Sequence, residues 1–195
     1  MLVYVNLCLY NMKYLEKKNR DVENMREIKV LIPEEKINQR LDELAKQIME
    51  DYKGKDIMFL CILKGSIFFT VELAKRIKNN VLFEFIEVSS YENNLRTDNL
   101  KLSKDISQPI EGRDVIIIED IIDSGKTISY LRDYLKNKNP NTIKVCSLLD
   151  KPSRRIVQIE ADYVGFTIEN KFVVGYGLDD NQNYRNLNYV GYIEI

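Results

Sequence analysis

The chain reads as an α/β domain built on a central, mainly parallel sheet flanked by helices. Three observations predict this. Strand-like runs alternate with segments of helical period. The central runs Ile57–Leu63 and Val115–Ile118 are continuously apolar, as strands covered on both faces are. The 195 residues, 45% apolar and 30% charged, contain no repeat, low-complexity tract or linker, so a single domain with a sizeable core is expected.

Residues 1–24 differ from the rest of the chain: an apolar run, Met1–Tyr10, gives way to a polar stretch without clean period. The run lacks a basic segment before it and a small-residue cleavage site after it, so it is not assigned as a signal peptide. Leader sequence ahead of a start at Met25 is the expectation, an extension packed on the domain the alternative, and residues 25–195 form the domain. A strand, Ile28–Ile32, ends at Pro33. Ile37, Leu41, Leu44, Ala45 and Ile48 then keep helical spacing, with Pro33, Glu34 and Glu35 as N-terminal signals and an end near Tyr52–Gly54. After the strand Ile57–Leu63 and the turn Lys64–Ser66, a second helix runs through Phe69, Leu73, Ala74 and Ile77. The strand Leu82–Ser89 leads into Tyr91–Asp105, polar and aperiodic, and so a loop. Past Gly112 come the strand Val115–Ile118, an acidic turn Glu119–Gly125, and a helix with Ile128, Leu131 and Leu135 on one face. Strands at Ile143–Leu149, Tyr163–Thr167 and Phe172–Tyr176 complete the pattern. Ligands of such sheets sit at the carboxyl ends of the strands, which points to the turns after Leu63, Ile118, Leu149 and Tyr176.

Composition removes several functions. Lys and Arg total 29 against 30 Asp and Glu, net charge -1, without the basic surplus of a protein that coats nucleic acid. No run of about eighteen apolar residues is present to span a membrane. There is no histidine, which excludes a Ser-His-Asp triad, a His zinc site and a His base. Cys8, Cys61 and Cys146 form no CxxC pair and read as reduced thiols in a cytoplasmic protein.

The strongest signal is Val115-Ile-Ile-Ile-Glu119-Asp120-Ile-Ile-Asp123-Ser124-Gly125-Lys126-Thr127. Its second half suits an anion: Gly125 lets successive N–H groups turn inward, Ser124 and Thr127 add hydroxyls, and a helix N-terminus adds partial positive charge. Its first half would repel that anion unless hydroxyl groups or a metal ion met the carboxylates. A phosphorylated sugar with Mg²⁺ satisfies both. A P-loop fails, because the position of its first glycine is Asp120. An acidic turn capping a helix would account for Asp123 or Ser124 alone, but not for three acids just after a buried strand.

Ile116–Thr127 resembles the phosphoribosyl pyrophosphate motif of type I phosphoribosyltransferases, and its Glu-Asp-Ile-Ile-Asp-Ser-Gly form resembles the hypoxanthine-guanine branch. Leu63-Lys64-Gly65 is similar to that branch's pyrophosphate loop, and Ser89-Ser90-Tyr91 to the start of its mobile loop. Leu148–Lys151 is similar to its purine-contacting lysine segment, Lys171–Asp179 to its base-binding strand and turn, and Tyr184–Leu187 to its C-terminal arginine segment. The six occur in order with compatible spacing, between about Ile28 and Val190, which specifies the branch.

The resemblance implies a type I phosphoribosyltransferase fold with a small hood, and Mg²⁺-dependent exchange of phosphoribosyl pyrophosphate and a 6-oxopurine for the nucleoside monophosphate and pyrophosphate. It implies Asp123 as the base facing purine N7, with helix capping as its ordinary alternative. Glu119 and Asp120 become ribose-diol and Mg²⁺ ligands, and Ser124, Gly125, Lys126 and Thr127 the 5′-phosphate cradle. Lys64 and Gly65 present N–H groups to pyrophosphate, after a peptide that is often cis in this family. Phe172 stacks on the purine, the backbone of Val173 reads its edge, and Lys151 donates to the 6-oxo group. Without the resemblance Phe172 would be a core residue and Lys151 a solvated charge. Asp179 becomes a second Mg²⁺ contact through water, with Asp180 as a solvated neighbour, and Arg185 a pyrophosphate ligand. Ser90 and Tyr91 would be the working end of a lid formed by Tyr91–Asp105. Ser124 stands where the family more often has Thr, and Asp150 and Pro152 around Lys151 leave the choice among hypoxanthine, guanine and xanthine open. The alternatives are a xanthine-preferring enzyme and a non-catalytic sensor of phosphoribosyl pyrophosphate; neither nucleic acid nor membrane is an expected partner. A homodimer or homotetramer is expected by analogy.

Overall fold

The computed structural model describes residues 27–90 and 100–194. Residues 1–24, Met25, Cys8 and Tyr91 lie outside them. A six-stranded sheet has the order β4-β3-β2-β5-β6-β7, and a separate three-stranded sheet the order β1-β9-β8. The large sheet comprises β2 (Ile57–Leu63), β3 (Val81–Ser90), β4 (Leu100–Lys104), β5 (Asp114–Ile122), β6 (Thr142–Asp150) and β7 (Tyr163–Thr167); the small one comprises β1 (Ile28–Ile32), β8 (Phe172–Val174) and β9 (Val190–Ile193). All pairings in the large sheet are parallel except β3 with β4.

Alternation along the central strands sends their side chains to two cores. Phe59, Ile116, Ile118 and Leu148 pack on one face beneath helices α1 (Glu34–Asp51) and α2 (Ile67–Ala74). Leu60, Ile62, Ile117 and Val145 pack on the other beneath α3 (Lys126–Lys136). α1 buries Ile37, Leu41, Leu44, Ala45 and Ile48, as the spacing predicts, and burial of each larger side chain is worth about 1.5–3 kcal/mol. Glu34 and Glu35 lie in its first turn, and the Tyr52 N–H closes it on Ile48 O. α3 buries Ile128, Leu131 and Leu135. Cys61 and Cys146 are buried, unpaired thiols, and burial pushes both thiol pKa values up. No helix among the described residues is long and apolar enough to cross a membrane.

Four expectations need correction. Glu119 and Asp120 are not in a turn: β5 continues to Ile122, because its β6 edge stays paired through Ile122↔Asp150 after its β2 edge lets go at Ile118. The turn proper is Asp123–Gly125. α2 stops at Ala74, where the N–H groups of Arg76 and Ile77 bond only three residues back; Ile77 is buried but lies outside the helix. Residues 100–104, expected as loop, form β4 on β3. Beyond it, buried Glu84 of β3 accepts from Ser107 N, Ser107 Oγ and Gln108 N. Finally, β8 ends at Val174, and Gly175 and Tyr176 turn away with positive φ. The C-terminal strand β9 was not foreseen; it joins β1 and β8 antiparallel, with Ile28 opposite Ile193.

Candidate active site

Two turns and one strand end meet at Gly65. The Leu63–Lys64 peptide is cis, and Ser66 Oγ secures the turn by donating to Ile62 O at 2.7 Å. A Cβ on Gly65 would lie 1.5 Å from Asp120 Oδ2, and one on Gly177 would lie 1.9 Å from Gly65 O. Backbone is therefore pressed between the β5 carboxylate and the turn after β8, and neither position has room for a side chain. Gly177 also has φ +103°, in the region that glycine alone adopts freely.

Around this contact the charges are arranged in sequence. Arg185 Nη2 is 2.7 Å from Asp179 Oδ1, and its Nη1 donates to Gly177 O at 2.6 Å. Asp179 also accepts from Gln182 N through Oδ2 at 2.7 Å. Arg185 Nε is buried with no acceptor among the described residues. Asp120 accepts the Ile121 N–H at 2.7 Å. Its carboxyl is pushed up to about 6, by burial first, with the charge of Asp179 adding and Arg185 opposing. Glu119, buried beside it, is raised well above the carboxylate range by burial and by the Asp120 charge. Two such carboxyls accommodate hydroxyl donors or a cation well and a bare anion poorly. No group of three or more His, Cys, Asp or Glu side chains among the described residues forms a metal cage, so Glu119, Asp120 and Asp179 are not one preformed ligand set. That donor set fits Mg²⁺ held by one or two carboxylates together with substrate oxygens.

The segment expected to form an anion cradle lies one turn further on. Gly125, with φ +83°, is the N-cap of α3, Lys126 is its first residue and half-buried Thr127 is its second. Asp123 does not cap this helix, which has no side-chain cap bond; Ser124 Oγ approaches Lys126 N at 3.4 Å. The Asp123 side chain is instead 43% exposed, with Arg154 Nε 3.3 Å from its Oδ1.

Lys151 and Phe172 depart from what their residue types suggest. Lys151 is only 7% exposed, and its ammonium donates to Lys171 O at 2.6 Å. Burial lowers its pKa, while Asp123 raises it. Phe172, next to Lys171, keeps 38% exposure, whereas Val173 is buried. A buried cation beside an exposed ring on a strand edge makes a place for a flat, polar-edged molecule. Ser90 closes β3 opposite Leu100. Asp150, which flanks Lys151, pairs with Arg155. Arg154 and Arg155 were missed, although two adjacent arginines directly after the Lys151 segment were there to be noticed.

The phosphoribosyl transferase domain model matches residues 31–181. A hypoxanthine-guanine phosphoribosyltransferase of Streptococcus pyogenes is 47% identical over 167 residues, covering 85% of this chain and 93% of that protein. The chain belongs to the hypoxanthine-guanine phosphoribosyltransferase family. The crystal structure of a family member from Bacillus anthracis, with HEPES in its active site, superposes with a TM-score of 0.83 at 46% identity, covering 86% of this chain and all of that one. A hypoxanthine phosphoribosyltransferase from Staphylococcus aureus gives 0.83 at 41% identity, covering 89% and 94%. The bifunctional protein TilS/HprT of Listeria monocytogenes is 45% identical over 167 residues; this chain spans only 26% of its length. The family's fold is thus shown for this chain, with the large sheet as its body and the small sheet as the expected hood.

Proposed function

We propose that the chain is a purine-salvage enzyme that transfers the 5-phosphoribosyl group from phosphoribosyl pyrophosphate to hypoxanthine or guanine, giving IMP or GMP and pyrophosphate. One observation carries the reading: the acidic end of β5, the Lys64–Gly65 turn and the Gly177–Arg185 turn converge through the backbone of Gly65. Such a site offers hydroxyl-binding carboxylates, N–H groups and a guanidinium within one contact sphere, as a ribose bearing a diphosphate requires.

In this reading Glu119 and Asp120 hold the ribose diol. Ser124–Thr127 take the 5′-phosphate on N–H groups at the start of α3. Lys64, Gly65 and Arg185 hold the pyrophosphate, and preorganised donors there stabilise charge as the glycosidic C–O bond breaks. Phe172 stacks on the purine, Val173 meets its edge through the backbone, and Lys151 exchanges Lys171 O for the 6-oxo group. Asp123 takes the proton of N7 as the new C–N bond forms. Ser90 and Tyr91 exclude water from the sugar cation. Mg²⁺, held by Glu119, Asp120 and, through water, Asp179, would supply positive charge to the diphosphate oxygens. A homodimer or homotetramer in the cytoplasm is part of the proposal; the exposed apolar residues Ile67, Phe68 and Val71 of α2 support a face covered by another copy.

Labelled hypoxanthine, guanine and xanthine, each with phosphoribosyl pyrophosphate and Mg²⁺, with and without EDTA, test this. Metal-dependent nucleotide from hypoxanthine or guanine is expected. Product from xanthine alone would reassign the base, and binding of phosphoribosyl pyrophosphate without turnover on any purine would make the chain a sensor.

A further inference from the structure

The segment after β6 is bound to the end of β5 and the loop that follows it along most of its length, and beyond Lys151 the proposed reaction gives it no role. Lys151 N donates to Ile122 O at 3.0 Å, and Ile156 N and Val157 N both donate to Ser124 O, at 2.9 and 3.0 Å. A Cβ on Gly125 would lie 2.7 Å from Ile159 Cγ2, 2.8 Å from Val157 O and 3.0 Å from Arg155 Cδ. Arg155 occupies the centre of this strap. Its Nη1 donates to the main-chain oxygen of Asp123 at 2.9 Å, and its Nη2 is paired with the Asp150 carboxylate. The two side chains are 15% and 17% exposed. One guanidinium therefore ties the last residue of β6 to the residue that carries the base.

We propose that Arg155, oriented by Asp150, is a positioning residue for phosphoribosyl transfer. It fixes the peptide of Asp123, and through it both the direction of the Asp123 carboxylate and the N–H groups of Ser124–Lys126. A planar fork suits the task because it meets two acceptors at a set angle, which an ammonium does not. The neighbouring Arg154 is a different case: its contact with Asp123 is long and its side chain 55% exposed, so solvent screens it. The inference rests on the proposed function, since a cradle needs positioning only if a phosphate enters it.

The test uses the full chain and the variants Arg155→Met, Arg155→Lys, Asp150→Asn and Asp150→Asn/Arg155→Met. Steady-state kinetics with phosphoribosyl pyrophosphate and hypoxanthine, IMP binding by calorimetry and thermal melts are read together. Arg155→Met should lower kcat/KM for phosphoribosyl pyrophosphate by ~10²-fold, the usual result of misplacing reacting groups by about an ångström, and weaken IMP binding. The hypoxanthine KM should stay near wild type. Arg155→Lys should recover part of the loss, Asp150→Asn should fall between, and the double variant should be no worse than Arg155→Met, since the pair acts as a unit. A purely structural role would lower the melting temperature and the yield of active protein, yet leave KM and IMP affinity of the folded fraction unchanged; that outcome overturns the proposal. Should Arg155→Met not fold, wild-type kinetics in both Arg155→Lys and Asp150→Asn would overturn it equally. A wild-type chain without turnover or IMP binding would remove the functional reading and this inference with it, whereas an active wild type with insensitive variants removes only the role of Arg155.

Discussion

The two sheets carry different parts of the proposed site, and they are made in different ways. The large sheet is built from continuous apolar strands, and its strand ends carry the candidate sugar and phosphate groups at 64–65 and 119–127. The small sheet is assembled from distant pieces. It pairs Ile28 with Ile193 and Phe172 with Ile193, ties Lys29 to Glu194 at 2.8 Å, and carries the candidate base site. The turn after β8 meets the turn after β2 where Gly177 packs on Gly65. The candidate sugar-phosphate site is thus a local motif on the large sheet, and most of the candidate base site a non-local construction attached to it. Single substitutions should therefore separate the two substrates kinetically.

The largest separation should come from Asp123→Asn. Loss of a general base costs typically 10²–10⁴-fold, so turnover should fall by about that much while calorimetry still detects phosphoribosyl pyrophosphate at near wild-type affinity. Wild-type turnover would show that Asp123 is not the base. Lys151→Met acts on the proposed base site, which Lys151 reaches from the end of β6 in the large sheet. A hydrogen bond to a charged group is worth about 1.5–3 kcal/mol, or ~10–100-fold in the KM for the purine, with the KM for phosphoribosyl pyrophosphate unmoved; equal rises in both would mean that the halves are not independent. Gly177→Ala strikes the junction. Its Cβ would collide with Gly65 O at a positive φ, so overpacking should destabilise the fold by about 1–3 kcal/mol in denaturant melts. In the surviving protein the KM for phosphoribosyl pyrophosphate should rise before that for the purine, because it is the Lys64–Gly65 turn that gives way.

The same division explains what could be read from the sequence. Period and apolar runs located β2, α1, α3 and the first half of β5 closely, because the apolar residues of each are buried along their length. The Glu119–Thr127 constellation was legible because its chemistry is contiguous along the chain. What escaped depends on partners far away. β9 is only four residues, Val-Gly-Tyr-Ile, and is a strand because β1 and β8 flank it. β4 showed a weak alternation of Leu100 and Leu102 in a polar surround. Glu119 and Asp120 were assigned to a turn because residue type outweighed the pairing with β6. The burial of Lys151 and the exposure of Phe172 run against their ordinary preferences, so residue type pointed the wrong way where a site demanded the exception. The clamp of Arg155 on Asp123 O involves a main-chain atom, so the sequence shows the two adjacent arginines but not what Arg155 holds.

The smallest effect sharpens the comparison from the stability side. Asp120 belongs to the large sheet, and burial raises its carboxyl from 3.8 to about 6. The folded chain then holds this proton more tightly than the unfolded one, so stability falls as pH rises through that interval. The contribution is fully present below about pH 4 and lost by the time the pH has passed 6, the reverse of a salt-bridged carboxylate. Asp120→Asn stays neutral throughout and can still accept the Ile121 N–H. With EDTA present and no substrate, its melting temperature should gain on wild type from about pH 4 to about pH 6 and then level off. A difference flat with pH would mean that Asp120 is solvated like an ordinary surface acid. The expected slope would instead mark the end of β5 as a place where the rigid sheet tolerates two carboxyls in poor surroundings, a tension that ribose hydroxyls and a cation are suited to relieve.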